Sequence, residues 1–329
     1  MDATLDLSRW REAPLGLMHR RWAIVAAGLR QLLRTKFFRI MLFLAWGVGL
    51  ALAVSGFLFT QSIATGGWLE SFVADKGARA QAIVSAFTAI VLVYPDVVIG
   101  GMFSMLYWLH SYAGLMLSLI TLSTLVPSLV TRDRACNALS IYLSRPLTSL
   151  DYLLGKLGII VGVLVLLWTG PLVASWLVSM AFAPEADFFT HSLEPLGRAL
   201  LFNLAGLVAL ACVALGVSSI SRSTKATIFL WIGAWPLAFF IASFPTTPEW
   251  LSSLSFHWDL NQLRGSIFQM ERILTDAADS LPLVDRGITE GLRHMADDVR
   301  TGDLALTLSG LAALVATSLV VLFRRLRPE

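Results

Sequence analysis

Residues 131–156 read TRDRACNALSIYLSRPLTSLDYLLGK. Two long apolar runs flank this stretch, at 109–130 and 157–181. Each run is long enough to cross a bilayer, because a spanning helix needs about 20 mostly apolar residues. Charges at the centre of a bilayer are costly. The stretch carries Arg132, Asp133, Arg134, Arg145, Asp151 and Lys156, so it belongs in water. The pattern predicts a helical hairpin in lipid whose polar turn is free to touch a soluble partner.

Working outward, the same contrast holds for the whole chain. Apolar residues make up 56% and charged residues 14% of the sequence, against roughly 25% charged in ordinary soluble domains. Six segments meet the length and polarity test for a span: 40–60, 109–130, 157–181, 199–218, 226–244 and 304–323. They are continuous rather than alternating, which argues for helices and against a barrel. The expected fold is an all-α polytopic membrane protein with six transmembrane helices. Residues 1–17 carry charges and Pro14 but no short apolar core with a cleavage site, so the first span is expected to be retained as the insertion signal. Cys136 lies in the polar stretch and Cys212 inside a span, so neither a disulfide nor a metal-ligand spacing is expected.

Basic residues orient the bundle. Segments 1–39, 131–156, 219–225 and 324–329 hold 17 of the 25 Lys and Arg residues but only 6 of the 22 Asp and Glu residues. The intervening set holds 8 basic and 16 acidic residues. Lys and Arg favour the cytoplasmic side. Both termini and the polar stretch are therefore expected inside, in a cell inner membrane, with 61–96, 184–198 and 245–303 outside. The slight positive net charge reflects this topology and is no sign of nucleic-acid binding.

The expected organisation is a cytoplasmic N-terminus over 1–39, a membrane domain over 40–323 and a short tail over 324–329. Within 20–39, Trp22, Val25, Leu29, Leu32 and Leu33 recur at helical spacing while Arg20, Arg30 and Arg34 fall on another face. That predicts an interfacial elbow helix. Residues 80–94 are apolar but end at Pro95-Asp96, and are read as an external interfacial or partly inserted helix before a long tilted span. Pro236 predicts a kink in the fifth span. The insert 245–303 is the only sizeable soluble piece, with helical periodicity over 260–278 and 288–299. Its apolar positions Leu263, Ile267 and Met270 predict an external lid packed on the outer ends of the spans or on a second copy.

Catalytic signatures are absent. No G-x-x-x-x-G-K-[ST] occurs, and Gly155-Lys156 lacks both the earlier glycine and the following hydroxyl. H-E-x-x-H, C-x-x-C and G-x-S-x-G are missing, and His19, His110, His191, His257 and His294 are scattered. His110 reads as an interhelical hydrogen bonder. No span interior carries Asp, Glu, Lys or Arg. Ion-coupled transporters usually keep ionisable groups there. Any transport work by this chain therefore draws its energy from another chain.

In the polar stretch, Asp133, Asn137, Ser140 and Ser144 share one helical face, and Ala135, Leu139, Tyr142 and Leu143 another. Arg145-Pro146 ends that helix, because proline excludes the helical conformation from the preceding residue. Asp151 then leads into the next span, with Gly155-Lys156 at its mouth.

The order of long span, charged start, short helix, S-R-P-L-T, D-Y-L-L-G-K and long span resembles the permease subunits of ABC-2 type exporters. The matching positions are Asp133, Ser144, Pro146, Leu147, Thr148, Gly155 and Lys156. The resemblance is most specific over 115–180. R-D-R stands where that family more often has a glutamate-rich run, and the external insert is longer than is typical. The resemblance implies a homo- or heterodimer of permeases, each docked on a cytosolic ABC ATPase that binds the ATP, with no cofactor on this chain. The helix over 131–151 would couple the two. Arg132, Asp133, Arg134, Asn137, Tyr142, Arg145, Pro146, Asp151, Gly155 and Lys156 are the expected coupling residues. A scaffold or assembly factor that binds a partner through the insert and moves no solute is the alternative. An intramembrane enzyme ranks third, for want of a polar cluster in the spans.

Overall fold

The structure, a computed structural model, describes residues 16–64, 67–136, 149–242, 248–253, 255–280, 286–299 and 301–326. Among them every regular element is helical. In chain order they are α1 (Leu17–Leu33), α2 (Lys36–Ile63), α3 (Trp68–Val73), α4 (Ala78–Val93), α5 (Asp96–Ala135) and α6 (Leu150–Ala181). α7 (Ala186–Ile220) and α8 (Thr224–Ala242) follow, then a single helical turn at Glu249–Ser252, α9 (Phe256–Phe268), α10 (Met270–Ser280), α11 (Arg286–Asp298) and α12 (Leu304–Leu326). Five of these, α2, α5, α6, α7 and α12, are long and apolar enough to cross a membrane. The chain is a multi-pass, all-α membrane protein in that sense. α8 is apolar over Thr224–Phe240 but shorter than those five.

Local chemistry sets the helix boundaries. The break between α1 and α2 falls at Arg34-Thr35, where the Thr35 hydroxyl accepts from the Phe38 N–H at 3.4 Å and caps α2. The span thus begins at Lys36, four residues before the sequence placed it. α5 and α6 each run as one long helix, interrupted only by π-helical turns at Asp96–Gly100, Pro127–Thr131 and Val165–Thr169. Every one of these turns lies beside a proline, Pro95, Pro127 or Pro171. Proline lacks the N–H that an α-helix needs, so the ladder re-registers there. α5 also begins well before residue 109, because the break at Pro95 is the last one on that side.

The core lies where α5, α6 and α7 meet. Trp168 is fully buried against Gly114 of α5 and Gly206 of α7. A methyl group at Gly206 would sit 2.7 Å from the Trp168 ring, so only glycine leaves room. Phe202 meets Trp168 edge-on at 5.7 Å and Phe268 of α9 at 5.9 Å.

α9 is the first long helix of the insert. Its residues Phe256, Leu260, Leu263 and Phe268 are buried, and it packs among α5, α7, α8 and α12. The expected helix over 260–278 is split at Gln269, whose φ of 52° is left-handed and turns α9 into α10. Leu263 and Met270 are buried and Ile267 is half-buried, so the insert's apolar stripe is spent on the bundle.

Candidate functional site

The described part of the polar stretch gathers at one end of the bundle. Arg132, Asp133 and Arg134 continue α5, which ends at Ala135. Asp151, Gly155 and Lys156 lie on the first turns of α6. Asn137, Tyr142, Arg145 and Pro146 lie outside the described residues.

Two ion pairs brace this end. The Asp133 carboxylate accepts from the Tyr152 hydroxyl at 2.6 Å and pairs with Lys156 Nζ at 2.9 Å. Tyr152 and Lys156 are four residues apart, so they share one face of α6 and reach α5 together. The Lys156 ammonium also sits 5.4 Å from the centroid of the Tyr152 ring. The second pair joins α1 to α6. Arg21 of α1 holds Asp151 Oδ1 through Nε at 2.7 Å and Nη2 at 2.5 Å. The Asp151 side chain is only 4% exposed, and Arg21 brings an opposite charge to it.

A glycine seam extends the second brace. Gly155, Gly158 and Gly162 of α6 face Ile24, Val25 and Leu29 of α1. A methyl group at Gly155 or at Gly162 would come within 2.9 Å of those side chains. Small residues at this spacing let two helices approach closely where lipid gives no hydrophobic drive.

A buried polar knot ties α5 to α7 and α8. Ser218 Oγ accepts from the N–H groups of Val130 and Thr131, at 2.9 and 3.2 Å, and donates to the Val126 carbonyl at 2.7 Å. The Thr131 hydroxyl donates to the Ser218 carbonyl at 2.7 Å and lies 3.1 Å from Thr227 Oγ1. Arg134 donates to the Ser219 carbonyl. The π-turn at Pro127–Thr131 frees these backbone groups, and Ser218 satisfies them. Ser218→Val is expected to orphan two buried N–H groups, at about 1–3 kcal/mol each. Thermal unfolding of purified protein should show a clear loss for Val and near-native behaviour for Ser218→Thr. Equal stability of the Val variant and the native protein would contradict the role given to the knot.

The structure therefore joins Asp133, Asp151, Gly155 and Lys156 into one braced base, directs Arg134 to α7 and leaves Arg132 exposed. Sequence reasoning missed Arg21, Tyr152, Thr131 and Ser218. Tyr152 had a signal, its spacing of four from Lys156. The pairing of Arg21 with a residue 130 positions away had none.

The insert carries two further residues that were missed. Asp259 is fully buried, and neither carboxylate oxygen has a hydrogen-bond partner among the described residues. Burial pushes its carboxyl up to about 7. Gly310 of α12 faces it, and a methyl group there would sit 3.1 Å from both oxygens. Arg264, 1% exposed, lies with its guanidinium carbon 3.5 Å from the centroid of the Tyr112 ring and 5.2 Å from that of Phe202. It donates to Asn261 Oδ1 at 2.8 Å, and burial lowers its pKa. Burial, and then the Arg264 charge, lowers that of His257. The signal was present: Asp259 and Arg264 sit on the same helical stripe as Phe256, Leu260 and Leu263.

Among the described residues, no three His, Cys, Asp or Glu side chains converge in a way that would hold a metal ion. No protein-family model, no curated protein and no solved structure matches this chain.

Proposed function

We propose that this chain is the transmembrane subunit of an ATP-driven exporter resembling the ABC-2 type, with ATP hydrolysis on a separate cytosolic subunit. In this reading α8 is the fifth of six spans, both termini are cytoplasmic, and α1 is the interfacial elbow helix. The segment 131–151 docks the ATPase, and a second permease completes the pathway. The braced base carries the reading. Two ion pairs and a buried polar knot tie the roots of α1, α5, α6, α7 and α8 together on either side of the polar stretch. A push on that stretch would therefore move several helices as one body, as alternating access by rigid packed helices requires.

Arg145→Glu tests the docking. Reversing a charge at a protein interface replaces attraction by repulsion. The variant is expected to insert normally and to lose its ATPase, or to keep it with export uncoupled. Normal complex and normal activity in this variant would remove the docking role. Topology has its own test, with single cysteines at Ser140 and Ser266 in a Cys-free background. An impermeant thiol reagent on intact cells should label only the cysteine at 266. Labelling of position 140 would overturn the orientation.

A further inference from the structure

A groove of about 750 Å³ opens beside the braced base, between α1, the end of α5 and the start of α6. Its lining is apolar on one side, with Ile24, Leu32, Phe37, Leu125, Leu129 and Ile159. Its mouth carries Arg132, Asp133 and Lys156. Lys156 is neutralised by Asp133 at 2.9 Å. Arg132 is exposed, and its guanidinium has no hydrogen-bond or ion-pair partner among the described residues. Thr35 and Phe37, at the corner between α1 and α2, also line the groove, and the same corner exposes Arg34, Lys36 and Arg39. The groove thus joins an apolar trough to an unneutralised cationic mouth, at the level where α2, α5 and α6 pass from apolar to charged sequence. Met18 and Trp22 are exposed on α1, and Trp favours the membrane interface.

We infer that this groove binds one anionic membrane phospholipid. Its acyl chain lies in the trough between α1 and α5. Its phosphate meets Arg132 at the mouth. A basic pocket between membrane helices selects anionic headgroups, and each Lys or Arg near the surface favours them about fivefold. A zwitterionic lipid fills the trough equally well but gains nothing net at the mouth. The lipid would also wedge α1 against α6, beside the seam at Gly155. The inference rests on the membrane reading of the helices and not on ATPase docking, so the chain is tested alone.

The experiment uses the purified full chain in phosphatidylcholine vesicles with a trace of phosphatidylglycerol bearing a photoreactive acyl chain. A parallel sample carries the same label on phosphatidylcholine. Labelled peptides are mapped by mass spectrometry. The anionic probe is expected to label segments 24–37 and 124–132 about fivefold above the zwitterionic one. Arg132→Gln should bring the two to parity, and Ala27→Trp, which fills the trough, should remove labelling by both. Equal labelling of the native chain by both lipids would overturn the inference, as would adducts confined to other segments. Loss of the preference on adding inorganic phosphate alone would assign the mouth to a soluble anion and overturn it equally.

Discussion

Arg21→Ala is expected to destabilise the protein by about 3 kcal/mol, the lower end of what breaking a buried ion pair from one side costs. The lower end applies because Arg21 is 28% exposed while Asp151 is 4% exposed. Water reaches the cation, while the carboxylate stays buried. The loss should be local at first, with α1 lifting from the glycine seam of α6. Thermal unfolding of the purified chain measures the global cost, and proteolysis between α1 and α2 measures the local release. Asp151→Asn in the Arg21→Ala background should recover part of the stability, since it removes the buried charge that Arg21 faces. A double variant as unstable as the sum of the two single ones would show that the pair does not act as a pair.

The second large effect is a pH dependence centred on Asp259. Its folded carboxyl is pushed up to about 7 by burial, against about 3.9 in an unfolded chain. Below pH about 4 both states are protonated and the group contributes nothing. Between about 4 and 7 the unfolded carboxyl ionises while the folded one keeps its proton, so stability falls as pH rises. Above that window the penalty is constant, at about 4 kcal/mol as an upper bound. The native protein is thus expected to unfold at lower temperature at pH 8 than at pH 5. Asp259→Asn should flatten that difference. A native-minus-variant difference that does not change between these pH values would remove the buried-carboxyl account.

Much of the fold was legible because lipid imposes a coarse rule. Long apolar runs must be helices, and charges must lie at their ends. The runs therefore located α2, α5, α6, α7 and α12. Their edges were less legible, because helices continue past the apolar region wherever capping allows. α5 reaches Ala135 and α6 starts at its polar flank for that reason. The insert's helical periodicity was legible, but the left-handed turn at Gln269 that divides it was not. Asp259 and Arg264 share its apolar stripe, and both are buried. The braced base was half visible. Asp133, Gly155 and Lys156 stood out locally, but Arg21 and Ser218 are joined to that end only by the tertiary fold.

The proposed docking of a cytosolic ATPase on residues 131–151 has a direct test. The most direct measurement is crosslinking from a single cysteine at Ser140, in a chain lacking Cys136 and Cys212, within the membranes that natively contain it. A short thiol-to-amine crosslinker should yield an adduct with a P-loop ATPase, its yield changing when ATP is added, and none from a cysteine at Ser266. An adduct that contains no ATPase, or equal ATPase adducts from both positions, would contradict the account.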